Sequence, residues 1–156
     1  MSQPTIALVS SPNDDIRLLV SELEEVLSAG YPAEQRHGLS LDAIFQEHVR
    51  FFVASLGGVA VGCGGVALFD GFAEVKRMYV RPSARGTGVA RAILERLVVE
   101  TRGAGLSTLC LETGTKQDDA LRLYRRYGFT DCAAFGAYAE MPPHKIVASI
   151  FLSKTL

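Results

Sequence analysis

The spacing of apolar residues changes several times along the chain, and each spacing implies an element. Thr5 to Val9 is a short apolar run that reads as a first strand. Asn13 and Asp14 offer side-chain oxygens to the open amides of a helix reaching about Ser28, which places Ile16, Leu19, Val20, Leu23 and Leu27 on one face. Gly30-Tyr31-Pro32 breaks that helix, and a short helix carrying Ile44 and Phe45 is expected around Leu41 to His48. From Arg50 the period becomes strand-like. Phe51 to Leu56, Val59 to Phe69 and Phe72 to Val80, joined at Gly57-Gly58 and Asp70-Gly71, predict a three-stranded antiparallel meander. Gly62, Gly64 and Gly65 mark its middle strand for a bulge or a close backbone approach.

After Pro82 the helical period returns, from Thr87 or Gly88 to Arg102, with Ala90, Ile93, Leu94, Leu97 and Val98 on one face. Leu106 to Leu111 reads as a buried strand, and a helix from about Gln117 to Tyr127 stops at Gly128. Ala133 to Phe135 and Val147 to Leu152 are expected as extended pieces on either side of a Met141-Pro142-Pro143 loop. No repeat or linker interrupts the order, so residues 1–156 read as one α/β domain.

Composition narrows the classes. Of 156 residues, 48% are hydrophobic and 21% charged, which predicts a compact chain with a real core rather than a disordered one. The net charge of −1, without a dense run of Lys and Arg, argues against a nucleic-acid partner. Met1-Ser2-Gln3-Pro4 opens no signal sequence and no run of about twenty apolar residues occurs, so no membrane partner and a cytoplasmic location are expected. Cys63, Cys110 and Cys132 are too scattered for a disulfide framework or a metal hook and read as buried thiols. His37, His48 and His144 form no zinc pair, and no metal is expected.

The chemistry is concentrated between Glu74 and Phe129, where a strand feeds a glycine-containing loop and the loop feeds a helix. The first amides of such a helix lack internal partners, the helix dipole favours negative charge, and Gly86 and Gly88 leave backbone open to a phosphate, with Arg81 and Arg85 as nearby cations. A P-loop GxxxxGK[ST] is absent. A dinucleotide GxGxxG pattern fails at Arg91 and lacks the acidic residue it requires. The pattern that remains, [R/Q]xxGx[G/A], is met by Arg85, Gly88 and Ala90. It is flanked by EVKRMYVRP (Glu74 to Pro82), LCLETG (Leu109 to Gly114) and ALRLYRRYGF (Ala120 to Phe129). With these segments the chain resembles the GNAT superfamily of acyl-CoA-dependent N-acetyltransferases.

The resemblance implies a mixed, mainly antiparallel sheet of six to seven strands flanked by about four helices. The cofactor-binding segment would be about 72–130, with acceptor-side segments at about 10–50 and 130–156. It further implies acetyl-CoA as donor. The strand at Met78, Tyr79 and Val80 would pair through its backbone with the pantetheine arm, and Arg85 with the amides of Gly86, Thr87, Gly88, Val89 and Ala90 would take the pyrophosphate. Gln117 stands where the family usually has an Asn that contacts pantetheine. Tyr124 is the implied general acid, Glu74 and Glu112 are alternative bases, and the Met78 amide is a candidate oxyanion donor. Phe135 to Tyr138 and Met141 to His144 are expected near the acceptor mouth. Arg125 and Arg126 are weaker candidates for the nucleotide phosphate, and Cys110 is expected to be core. The acceptor is expected to be a small-molecule amine or amino acid, with a peptide as the alternative, and exposed sheet edges make a homodimer plausible. A non-catalytic CoA-binding sensor and a nucleotide-binding enzyme are the competing readings.

Overall fold

The computed structural model describes residues 3–156, so Met1 and Ser2 of the N-terminal reading lie outside the described residues. Seven strands form one sheet in the order β1-β2-β3-β4-β5-β7-β6. They are β1 (Thr5–Val9), β2 (Val49–Leu56), β3 (Val59–Leu68), β4 (Ala73–Val80), β5 (Thr108–Gly114), β6 (Thr130–Asp131) and β7 (Ser149–Thr155). The helices are α1 (Asp14–Gly30), α2 (Val89–Gly103), α3 (Asp118–Tyr127) and the short α4 (Pro143–Ile146). All neighbouring strands run antiparallel except β4 and β5.

Both faces of the sheet are covered, which is why its central strands read as nearly continuous apolar runs. On β2, Phe51 and Val53 face α1, packing with Ile16, Leu19 and Leu23. Phe52 and Ala54 face α2, packing with Ile93, Leu94 and Leu97. The α1 start is capped as the sequence predicts, with Asn13 Oδ1 accepting from the Ile16 amide at 2.9 Å.

The glycines of β3 serve both predicted purposes. A Cβ on Gly64 would lie 2.8 Å from Ile93 Cγ2, so only a bare α-carbon lets α2 settle on the sheet at this point. The β3–β4 register also slips there: Cys63 pairs with Tyr79 and Gly65 with Lys76, so Gly64 faces both Arg77 and Met78. Arg77, with φ 53°, is the bulged residue. Beyond the pairs Ala73–Leu109 and Glu74–Cys110, β4 has no further partner on β5, and the two strands part. This split positions the site.

Several predicted boundaries move. The helix expected at Leu41 to His48 is a single 3-10 turn, Ala43–Phe45, because only Ile44 is fully buried there. The strand expected from Leu106 begins at Thr108, since Leu106 is still closing the α2 C-terminus through its amide to the Thr101 carbonyl. Ala133 to Phe135 does not form a strand; the last ladder pairing is Asp131–Leu152, after which Phe135 packs edge-on against Phe72, Tyr138 and Phe151. The Pro-rich loop contains α4, with Pro143 at its first turn.

Candidate active site

Where β4 and β5 part, two cavities open and meet. The first, of 820 Å³, lies between the end of β4, the loop 85–88, the start of α2 and α3. Gly86 and Gly88 have φ 77° and 85°, conformations that L side chains rarely adopt, and a Cβ on either would meet no atom within 4 Å. Gly88 is the N-cap of α2 and brings no capping side chain, so the first amides of α2 face this groove unpaired. Arg85 and Arg126 on the lining have no carboxylate partner among the described residues, and Lys116 donates only to the Gly30 carbonyl, at 2.7 Å. Three uncompensated cations and a bare helix N-terminus fit a polyanionic ligand.

Most of the predicted cofactor residues line this groove, namely Met78, Tyr79, Val80, Arg85, Gly86, Gly88, Val89, Ala90 and Gln117. Thr87 does not line it; its hydroxyl donates to the Ala84 carbonyl and shapes the loop from inside. Arg81, expected as a nearby cation, is committed elsewhere. It grips the Glu22 carboxylate of α1 at 3.0–3.2 Å and the Ala60 carbonyl at 2.9 Å. Arg125 is bound to Asp131 at 3.0 Å, and Arg126 alone of that pair reaches the groove.

The second cavity, of 130 Å³, lies on the α1 side of the split. Strand alternation explains its chemistry: Val75, Leu109 and Leu111 turn into the α2-side core, so Glu74 and Lys76 of β4 and Glu112 of β5 turn to the opposite face. Glu74 is 4% exposed, and its Oε2 accepts both from the Tyr138 hydroxyl at 2.7 Å and from Lys76 Nζ at 3.0 Å. Lys76 Nζ donates also to the Tyr138 oxygen at 3.0 Å, which closes a ring of three polar groups. Glu112 meets only the Ser149 hydroxyl, at 2.6 Å, and burial pushes its carboxyl above the ordinary value against the pull of that hydrogen bond.

Tyr124 stands where the two cavities meet and lines both, as do Met78 and Gln117. Leu121 and Tyr124, one turn apart on α3, are its buried residues, and Phe129 packs edge-on against the Tyr124 ring at 5.8 Å. Burial, and then the charge of Glu112, raise the phenol so that it stays protonated across the neutral range.

Neither Lys76 nor His37 was read from the sequence as a residue of the site. His37 Nε2 donates to the Lys145 carbonyl at 2.7 Å and its ring sits edge-on to Tyr138, so the loop after α1 and the segment 136–146 close over the second cavity together. Tyr138 lies where the acceptor mouth was expected; Met141 to His144 do not line the cavity. Cys110 lines neither cavity, and burial pushes its thiol up to about 11.

Comparison with known proteins agrees with this geometry. The family model for the acetyltransferase (GNAT) domain matches residues 47–131. The IAA acetyltransferase of Azospirillum brasilense is 43% identical, with all of both chains covered. The crystal structure of a Klebsiella pneumoniae protein assigned as an acyl-CoA N-acyltransferase superposes with a TM-score of 0.78 at 30% identity, covering 99% of this chain and 98% of that one. The PaiA N-acetyltransferase of Thermoplasma acidophilum, solved in complex with coenzyme A, shares the fold with a TM-score of 0.72 at 14% identity, covering 97% and 99% of the two chains. The seven-stranded sheet parted between β4 and β5, the uncapped helix at the Arg85–Ala90 pattern and these relatives agree, and the chain belongs to the GNAT acetyltransferase family.

Proposed function

We propose that the protein transfers an acetyl group from acetyl-CoA directly to the amine of a small molecule. The observation that carries this reading is Tyr124, the buried phenol lining both the groove and the smaller cavity. The groove suits the donor: unpaired amides at the α2 N-terminus face the pyrophosphate, Arg85 and Arg126 supply charge, and the free edge of β4 at Met78 to Val80 offers backbone to an extended arm. The coenzyme A in the Thermoplasma relative supports the same choice. A cavity of 130 Å³ suits a small acceptor, since about 150 Å³ holds a molecule of benzene's size.

When bound, acetyl-CoA supplies a thioester carbonyl for the amine and a thiolate that leaves. Glu112 is the base. Its raised carboxyl carries no cationic partner, and at neutral pH it is a better proton acceptor than an ordinary carboxylate. Glu74 is held by Lys76 and Tyr138 and orients the wall instead. In this reading the Met78 amide, beside the bulge, donates to the developing oxyanion, and the Tyr124 hydroxyl donates to the departing sulfur.

The test begins with the thermal midpoint in acetyl-CoA, CoA, NADH and ATP. At about 100 times its dissociation constant a ligand adds about 2.7 kcal/mol, or roughly 5–10 °C for a chain of this size. A rise with acetyl-CoA and CoA alone, followed by thiol release with small amines, is expected. A rise with NADH or ATP instead would overturn the reading. Binding of CoA without thiol release from any amine would leave the CoA-binding sensor.

A further inference from the structure

The acceptor cavity is lined by Arg36, Lys76 and Arg77 on the cationic side and by Glu74 and Glu112 on the acidic side. Lys76 is neutralised by Glu74 at 3.0 Å. Arg36 and Arg77 both turn to one carboxylate, Glu24 of α1, Arg36 through Nη1 at 3.2 Å and Arg77 through Nη2. Two guanidiniums on one carboxylate leave a full positive charge uncompensated. Glu112, whose only partner is the Ser149 hydroxyl, is the matching unpaired acidic group. The wall therefore holds one spare charge of each sign.

The guanidiniums are also short of hydrogen-bond partners. Arg36 Nε and Arg77 Nη1 are shut off from water and meet no acceptor, and Arg77's side chain is only 6% exposed. Arg36 donates through Nη1 alone; its Nη2 has no partner among the described residues, and the side chain, 25% exposed, lies on the cavity lining. Arg77 is besides kept at φ 53°, a conformation unusual for a residue with a side chain, and its Nε is tied to the Leu39 carbonyl at 2.7 Å. Its guanidinium is thus fixed against the Glu24 carboxylate that Arg36 also meets, rather than free to leave for solvent.

We infer that the acceptor is a small amino-carboxylate, its carboxylate meeting Arg36 through Nη2, within the positive charge that Arg36 and Arg77 share, and its ammonium directed to Glu112. This rests on the acetyl-transfer reading and names the class of its substrate. A plain alkylamine satisfies Glu112 and leaves the guanidinium bare. A polyamine brings a second positive charge for which the wall has no unpaired acidic group and leaves the guanidinium without an anion. An amine with one carboxylate satisfies both, and the roughly six heavy atoms of the smallest of them are about what the cavity admits.

The test pairs amino-carboxylates with their own amides: alanine, β-alanine and γ-aminobutyrate, each against its carboxamide, by thiol release and by calorimetric titration onto the protein–CoA complex. At least one carboxylate is expected to exceed its amide roughly ten- to a hundredfold in kcat/KM and in affinity, the span of a charge-assisted hydrogen bond. In Arg36→Met that ratio is expected to fall toward one, chiefly through KM. Arg36→Lys, which keeps the charge without the guanidinium, is expected to recover part of it. The thermal shift with acetyl-CoA confirms that both variants fold. Amides handled as well as carboxylates, or a preference that survives Arg36→Met, would overturn the inference. Preferential binding of carboxylates without thiol release would instead overturn the transfer reading and leave the anion seat standing.

Discussion

At the scale of single residues, two carboxylates and a phenol share one split in the sheet and differ in what surrounds them. Tyr124 has an apolar cage and an exit into both cavities, so Tyr124→Phe removes a donor without removing the packing on Phe129. Its kcat is expected to fall about a hundredfold or more while the acetyl-CoA thermal shift stays near that of the parent protein. Glu112 makes a prediction about stability as well. Burial lifts its carboxyl above the ordinary 4.5, so the folded chain retains a proton that the unfolded chain gives up. The stability from this group is complete below the ordinary value and is lost as pH rises through the raised one. Glu112→Gln removes that loss. Its thermal midpoint is expected to exceed the parent's between about pH 7 and 8, with the gap closing near pH 4, while its acetyl transfer falls and loses the part of the rise with pH that belongs to the carboxylate. A parent protein whose midpoint advantage over Glu112→Gln grew with pH would contradict the assignment.

At the scale of elements, the β3–β4 ladder shows how much of the site was legible. The glycines of β3 predicted a bulge or a close approach, and both occur at Gly64, under Ile93 of α2 and opposite Arg77 and Met78. Gly64→Ala tests both roles, because its Cβ would stand 2.8 Å from Ile93 Cγ2 and 3.3 Å from Met78 Sδ. Overpacking of this kind costs about 1–3 kcal/mol, so the midpoint is expected to drop by roughly 2–12 °C, with weaker acetyl-CoA binding as Met78 is displaced. Elements written in local periodicity, such as α1, α2, α3 and the meander, were readable to within a few residues. The strand at Ala133 to Phe135 was not. Its β-like composition serves an aromatic cluster with Phe72, Tyr138 and Phe151 rather than a ladder, and only tertiary packing separates those outcomes. The ring of Glu74, Lys76 and Tyr138 escaped notice for a related reason, since its members are 64 positions apart in the case of Glu74 and Tyr138, and only the return of the chain over the second cavity joins them.

At the scale of the whole molecule, the parting of β4 and β5 carries a prediction about the kinetic order of the proposed reaction. The groove and the acceptor cavity lie on opposite sides of one opening and share Met78, Gln117 and Tyr124, so donor and acceptor can be present together with Tyr124 between them. A route through an acetylated enzyme would need a nucleophile in that opening. Cys110, the thiol nearest to it along β5, lines neither cavity, and burial holds it at about 11, far from a thiolate at neutral pH. Cys63 is fully buried on β3, donates to the Arg77 carbonyl at 3.4 Å and is pushed up to about 12. Transfer is therefore expected in one ternary complex. Initial rates with both substrates varied should give intersecting reciprocal plots, and the mass of protein incubated with acetyl-CoA alone should not rise by one acetyl group. Parallel plots together with a stable mass increase would place a covalent intermediate in the pathway. Direct attack by the amine across the opening at Tyr124 would then no longer account for catalysis.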